Sequence, residues 1–257
     1  MKYGRETIAV ALRILTELGR RRRSLIFWSI FPILVLTLNG LILAERAQLS
    51  LAEAFAHATP PTLMGAALFF SCLGGSVATV VAEREHRTLK RLFLSPLSGV
   101  SYFLGIVAAH CAIGLAQAVL VYAIATALGA NFRGAPLASL SVILLSIAAY
   151  VGVGFVLGAQ FARRTEDINA LIAAFGVPLL ILGGAFLPTS LFPDSLQSIA
   201  DYNPIYHMIA ALSGISVSGD SLTEIHSHLW FLGMFAALMV IAGGWAYGRM
   251  LRLERRL

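Results

Sequence analysis

The sequence predicts an all-α, polytopic membrane protein with six transmembrane helices. Three observations carry that expectation. Hydrophobic residues make up 58% of the 257 positions, and the mean hydropathy is +0.81. Only 12% of the residues are charged, where an ordinary soluble domain carries about 25%. The charges are grouped between six long apolar runs that contain no Asp, Glu, Lys or Arg. This composition excludes a soluble globule, a disordered chain and a disulfide scaffold. Cys72 and Cys111 both fall inside apolar runs and read as small buried hydrophobes.

Residues 1–23 open the chain as an amphipathic helix. Ile8, Ala11, Leu12, Leu15 and Leu18 recur at helical spacing, while Arg13, Glu17 and Arg20 occupy another face. Such a helix lies in the plane of the membrane, and the run Arg20-Arg21-Arg22-Arg23 fixes where the first span begins at an anionic leaflet. The apolar part that follows is too long for a signal peptide and is expected to be retained.

Spans are predicted at 24–43, 62–82, 101–128, 136–161, 168–187 and 229–247, since about 20 apolar residues in a helix cross the hydrocarbon layer. The third and fourth exceed that length, which predicts tilt or projection beyond the bilayer. Gly154-x-x-x-Gly158 and Gly244-x-x-x-Gly248 allow close approach of neighbouring helices. The second and third spans are joined by a loop at 83–98. The segment 188–228, between the fifth and sixth spans, is too apolar for a solvated loop. Pro193, Pro204 and Gly214 interrupt it, predicting two short helices with a break at Asn203-Pro204 that lie at the interface or dip back into the membrane.

The basic residues orient the chain. All but two of the 19 Lys and Arg fall on the side of the termini; Arg46 and Arg133 are opposite. The positive-inside rule then places both termini in the cytoplasm. Trp28, Trp230 and Trp245 stand near span ends, where an amphipathic ring prefers the interface.

Several chemistries lack their residues. A phosphate-binding loop needs a lysine after a glycine turn, and the two lysines, Lys2 and Lys90, have no such context. Gradient coupling usually requires a charged group inside the spans; the titratable candidate there is His110. The nearest match to G-x-S-x-G is Gly214-Ile215-Ser216-Val217-Ser218, outside the spans and with the last glycine replaced. Glu224, His226 and His228 have loose metal-ligand spacing and read first as an interfacial polar cluster. No aromatic interleaving of the basic residues points to nucleic acid.

A positive signal lies in the loop at 83–98. There Leu89, Leu92 and Phe93 stand at i, i+3 and i+4, with Arg87, Lys90 and Arg91 elsewhere, and Ser95-Pro96 stops the helix. A short helix with an apolar ridge and a basic rim docks into a groove of another protein or lies on the lipid surface.

Two elements of the sequence resemble the ABC-2 type permeases, the membrane subunits of exporters also called type V ABC transporters. One is Glu83-Arg84-Glu85-His86-Arg87-Thr88-Leu89-Lys90-Arg91-Leu92 with Ser95-Pro96-Leu97, similar to the family's E-R-E-x-G-T-L-x-x-L…(S/T)-P-L. The other is Gly184-Ala185-Phe186-Leu187-Pro188, followed by Leu191-Phe192-Pro193 and Tyr202-Asn203-Pro204-Ile205-Tyr206. The resemblance covers essentially the whole chain as a single transmembrane domain, 1–257, and is nearest to the drug and antibiotic exporters.

The resemblance implies that 83–98 is a coupling element for an ATPase subunit. Thr88, Leu89, Leu92 and Phe93 would form its docking face, with Glu83, Glu85 and Arg87 as polar contacts at its start. Arg87 stands where the family usually has glycine, which makes the entry stiffer and more basic. ATP and Mg would be held by separate nucleotide-binding subunits, with no cofactor, metal or catalytic residue on this chain. A second copy of the permease or a homologue would complete the membrane unit in the cell inner membrane, among membrane lipids and without nucleic acid. Phe186, Leu187, Tyr202 and Tyr206 would line an outer gate. The substrate implied is an amphiphile, a drug, a lipid or a lipid-linked glycan, moved outward. A gradient-driven secondary transporter and an intramembrane hydrolase are the rival functions.

Overall fold

A computed structural model describes residues 2–20, 22–85, 97–162 and 164–254. All regular structure among these residues is helical. Helix α1 (Lys2–Arg20) leads into α2 (Arg22–Arg46). The second spanning helix, α3, runs Leu51–Glu85, and α4 runs Gly99–Ala127. Then come α5 (Pro136–Phe161) and α6 (Thr165–Leu182). Two short helices follow, α7 (Asp194–Ala200) and α8 (Pro204–Ser218), before the final α9 (His226–Glu254). Six of these, α2 to α6 and α9, are long and apolar enough to cross a membrane, so the chain is a multi-pass membrane protein.

The observed spans begin and end within a few residues of expectation, with three exceptions. α6 stops at Leu182, five residues short of the predicted 187. α9 continues well past 247, to Glu254. α3 starts at Leu51, eleven residues before the predicted 62. Ser50 and Glu53 form a capping box there: Ser50 Oγ accepts from Glu53 N at 3.3 Å, and Glu53 Oε2 accepts from Ser50 N at 3.2 Å. Pro60 and Pro61 sit inside the helix. A π-wound stretch, Thr62–Gly74, follows them.

α3 is the hub of the bundle. Its central residues Leu63, Met64, Leu68, Phe69 and Cys72 are buried, with α2, α4 and α5 packed around them. α2 and α6 instead leave apolar side chains such as Leu34, Leu38 and Phe175 exposed, as suits lipid or a second subunit. The two glycine motifs behave differently. Gly154 and Gly158 face Ser76 and Val80 of α3, whereas among the described residues Gly244 meets only the tip of Phe103 and Gly248 nothing. The tight crossing of α5 on α9 comes instead from Gly152, where a Cβ would stand 2.6 Å from the backbone of Met239.

The two short helices expected in 188–228 are present as α7 and α8. Asn203 caps α8, its Oδ1 accepting from Ile205 N at 3.0 Å, and Pro204 occupies the first helical position. Asn203 Nδ2 also donates to Leu179 O at 2.7 Å, tying α8 to the end of α6. Met208, Leu212 and Ile215 bury the apolar face of α8 against the spans. Gly219, with φ of +85°, ends the helix in the left-handed conformation glycine favours.

Candidate functional site

The end of the bundle that carries α1 also carries the last turn of α3, and three consecutive residues there reach three different elements. Successive helix positions point about 100° apart, so Glu83, Arg84 and Glu85 spread over more than half the circumference of α3.

Glu83 is turned into the protein. Its Oε1 accepts a hydrogen bond from Arg13 Nη2 of α1 and forms an ion pair with it. Arg13 Nη2 also donates to the Tyr102 hydroxyl of α4 at 3.0 Å, and the guanidinium lies 5.8 Å from the centre of the Tyr102 ring. Tyr102 stacks on Tyr247 of α9 with ring centres 6.0 Å apart. Burial alone would lower the pKa of Arg13, but Tyr102 and Glu83 more than offset it, so the value lies above that of an ordinary arginine. The Glu83 side chain is only 8% exposed and that of Arg13 is 40% exposed. Removing Arg13 would strand a buried carboxylate, and the half-exposed position of the arginine brings the cost down to about 2 kcal/mol.

Arg84 points toward the end of α5, where its Nη1 donates to Ala162 O at 3.1 Å and Gly158 O at 3.4 Å. A cation is favourable there because the last carbonyls of a helix lack partners within it. Glu85 reaches the start of α6. Its Oε1 accepts from Thr165 N at 3.1 Å and its Oε2 from Thr165 Oγ1 at 2.9 Å. A carboxylate at that position caps the free N–H groups of α6 and suits its positive end. Gln160 Nε2 closes the set by donating to Ala246 O at 3.1 Å, linking α5 to α9. One helical turn therefore joins α1, α4, α5, α6 and α9.

Of the expected docking residues, Glu83 and Glu85 stand in this node with their carboxylates committed to Arg13 and Thr165. Arg87, Thr88, Leu89, Leu92 and Phe93 lie outside the described residues, in the stretch 86–96 that directly follows. Arg13, Arg84, Tyr102 and Thr165 complete the node and were not singled out from the sequence as its members. The pattern of Arg13 opposite the apolar face of α1 was the available signal, but periodicity does not name a partner seventy positions away.

Tyr206 joins a ring group with His207 and His228. Phe186 and Leu187 are exposed in the turn after α6, and Tyr202 is 82% exposed. Ala185, between them and the core, packs against Gly65 of α3.

Other singled-out residues have local partners. His110 is buried in α4 with Nε2 3.2 Å from Thr79 Oγ1, and its Nδ1 has no hydrogen-bond partner among the described residues. Cys72 is buried and Cys111 half-buried, both as free thiols. Ser216 is buried and donates to Leu212 O at 2.7 Å. Glu224 Oε2 accepts from Ser221 N and Oγ at 2.7 and 2.8 Å, which holds its carboxyl below the usual range. His226 Nδ1 donates to Thr223 O at 2.8 Å. The Glu224, His226 and His228 side chains are thus not gathered on one point, and no group of three metal-ligating residues occurs among the described residues.

Known proteins share this chain's pattern. Residues 47–245 match the family described as ABC-2 family transporter protein. The chain is 26% identical over 170 residues to the linearmycin resistance permease protein LnrN of Bacillus subtilis, covering 66% of this chain and 44% of that protein. It is 27% identical over 164 residues to the probable multidrug ABC transporter permease YbhR of Escherichia coli, covering 62% and 43%. It is 22% identical over 183 residues to the inner membrane transport permease YadH of Escherichia coli, covering 70% and 71%. The chain spans less than half the length of the first two relatives. With a match over most of its length and six apolar spans arranged around α3, the chain belongs to the ABC-2 family of transporter proteins.

Proposed function

We propose that this chain is the permease subunit of an ATP-driven exporter, which moves an amphiphilic substrate outward across the cell inner membrane. The substrate class is a drug, a lipid or a lipid-linked glycan; the relatives named for linearmycin resistance and multidrug transport favour the first. ATP and Mg are bound by separate ATPase subunits, and a second permease copy or homologue completes the pathway. Both termini face the cytoplasm, because all but two of the basic residues share that side.

The observation that carries this reading is the node at Glu83, Arg84 and Glu85. It stands at the base of 86–96, where Arg87, Thr88, Leu89, Leu92 and Phe93 form the docking face for the ATPase. A push on that segment reaches α1 through Glu83, the end of α5 through Arg84 and the start of α6 through Glu85. Rigid helices tied in this way move together rather than bending one at a time. The spans then rotate against the second subunit, and the segment around Phe186, Leu187, Tyr202 and Tyr206 opens on the outer side.

Co-purification tests the reading. In mild detergent the chain is expected to bring down an ATPase subunit, and Leu89→Asp with Leu92→Asp is expected to abolish both that association and transport. A chain that purifies alone, or a double variant that transports normally, would overturn it. Transport that stops when a proton or sodium gradient is collapsed, with ATP intact, would favour the secondary transporter instead.

A further inference from the structure

At the end of the bundle away from the node, His207 of α8 faces His228 in the first turn of α9. Their Nδ1 atoms are 2.8 Å apart. His207 Nε2 lies 2.8 Å from the carbonyl oxygen of Asp201, so that nitrogen carries a proton and donates it. In the neutral form of His207 its Nδ1 is then a bare lone pair, and the proton between the rings belongs to His228 Nδ1. The His207 ring is also clamped face to face on Phe231, 3.9 Å between centres. Tyr206 stands edge-on to His228 at 5.9 Å. One imidazole is thereby fixed in tautomer and orientation, and the other faces it across a single replaceable proton.

We propose that His207 and His228 bind a divalent transition-metal ion, with Cu2+ the preferred occupant, which clips α8 to α9 on the outer face. A ring whose far N–H is held by a backbone carbonyl is the usual second support of a metal-bound histidine. The ligand type narrows the metal, because imidazole nitrogen suits Cu2+, Ni2+ and Zn2+. Copper also stands highest in the affinity order for nitrogen ligands. On binding, His228 turns about its Cβ–Cγ bond and shifts its proton from Nδ1 to Nε2, so no net proton is gained or lost. Water completes the coordination. Glu224 and His226 take no part, because Ser221 and Thr223 already engage them.

The test uses the full chain without a polyhistidine tag, in detergent, titrated with Cu2+. Electron paramagnetic resonance is expected to give one protein-bound Cu2+ per chain with coupling to imidazole nitrogen, at a Kd of about 10 μM or tighter. Quenching of Trp230, exposed two positions beyond His228, gives a second readout. His207→Gln or His228→Gln is expected to weaken binding at least tenfold, His226→Gln to leave it unchanged, and Zn2+ to bind more weakly than Cu2+. Absence of stoichiometric binding below about 100 μM, a signal without imidazole coupling, or full binding by both variants overturns the site. If a variant fails to fold, the spectrum of the unmodified chain decides alone. Failure here leaves the permease reading untouched, since that rests on the opposite end of the bundle.

Discussion

Glu83, Arg84 and Glu85 have three separate tasks because each leaves the helix in its own direction. Of the three, Glu85 isolates the capping task, since it lies exposed and holds both the N–H and the hydroxyl of Thr165. Glu85→Ala is expected to cost roughly 1 kcal/mol, the value of a lost helix cap, seen as a fall of about 2 to 4 °C in thermal midpoint. Thr165→Val should lose part of the same amount, and the double variant should lose little beyond Glu85→Ala. Additive losses would show that the two residues do not act together. These roles were only partly legible in the sequence. The motif stood out at 83–85, but a pattern of residue types gives no direction for three adjacent side chains. The pairing of His207 with His228 was hidden for a similar reason: they are 21 positions apart in the chain, and only the turn from α8 into α9 brings them together.

Among the elements, α1 depends most on one close approach. Val10, Ala11 and Ile14 bury its inner face, and a Cβ at Gly105 of α4 would stand 2.5 Å from Val10. Gly105→Leu is therefore expected to lift α1 from α4 and break the Arg13 contact with Glu83 and Tyr102. Protease cleavage between α1 and α2 should become several-fold faster, while Gly248→Leu, where no neighbour among the described residues stands within 4 Å, should leave it unchanged. Equal cleavage in both variants would mean that α1 is not held by this contact. The helix at α1 was readable from its spacing, as were the break at Asn203-Pro204 and the position of α8, but Ile8 and Leu12 of the expected apolar stripe are exposed while Val10 and Ile14, outside it, are buried against α4. The start of α3 was not, because Pro60 and Pro61 dominate the local pattern. The Ser50 and Glu53 capping box was the overlooked counter-signal, and the π-wound stretch that follows the prolines has no signature in hydropathy.

For the whole molecule, hydropathy and basic residues together predict six spans and a direction, and the structure supplies the six helices. The direction is checked by labelling with a membrane-impermeant maleimide in intact cells. Arg133→Cys is expected to react from outside and Arg249→Cys only after permeabilisation; the reverse pattern would invert the topology. Cys72 is buried and Cys111 half-buried within the spans, so the background is expected to be low. The proposed transport cycle depends on the tie between α1 and the base of 86–96, and a charge exchange probes that tie. Arg13→Glu and Glu83→Arg should each reduce ATP-driven transport at least tenfold in proteoliposomes that contain the co-purifying ATPase, with the fold intact by size-exclusion profile. Combining them restores opposite charges across the same gap and should recover a substantial part of the activity. Single variants that transport like the unmodified chain would contradict a coupling role for this node.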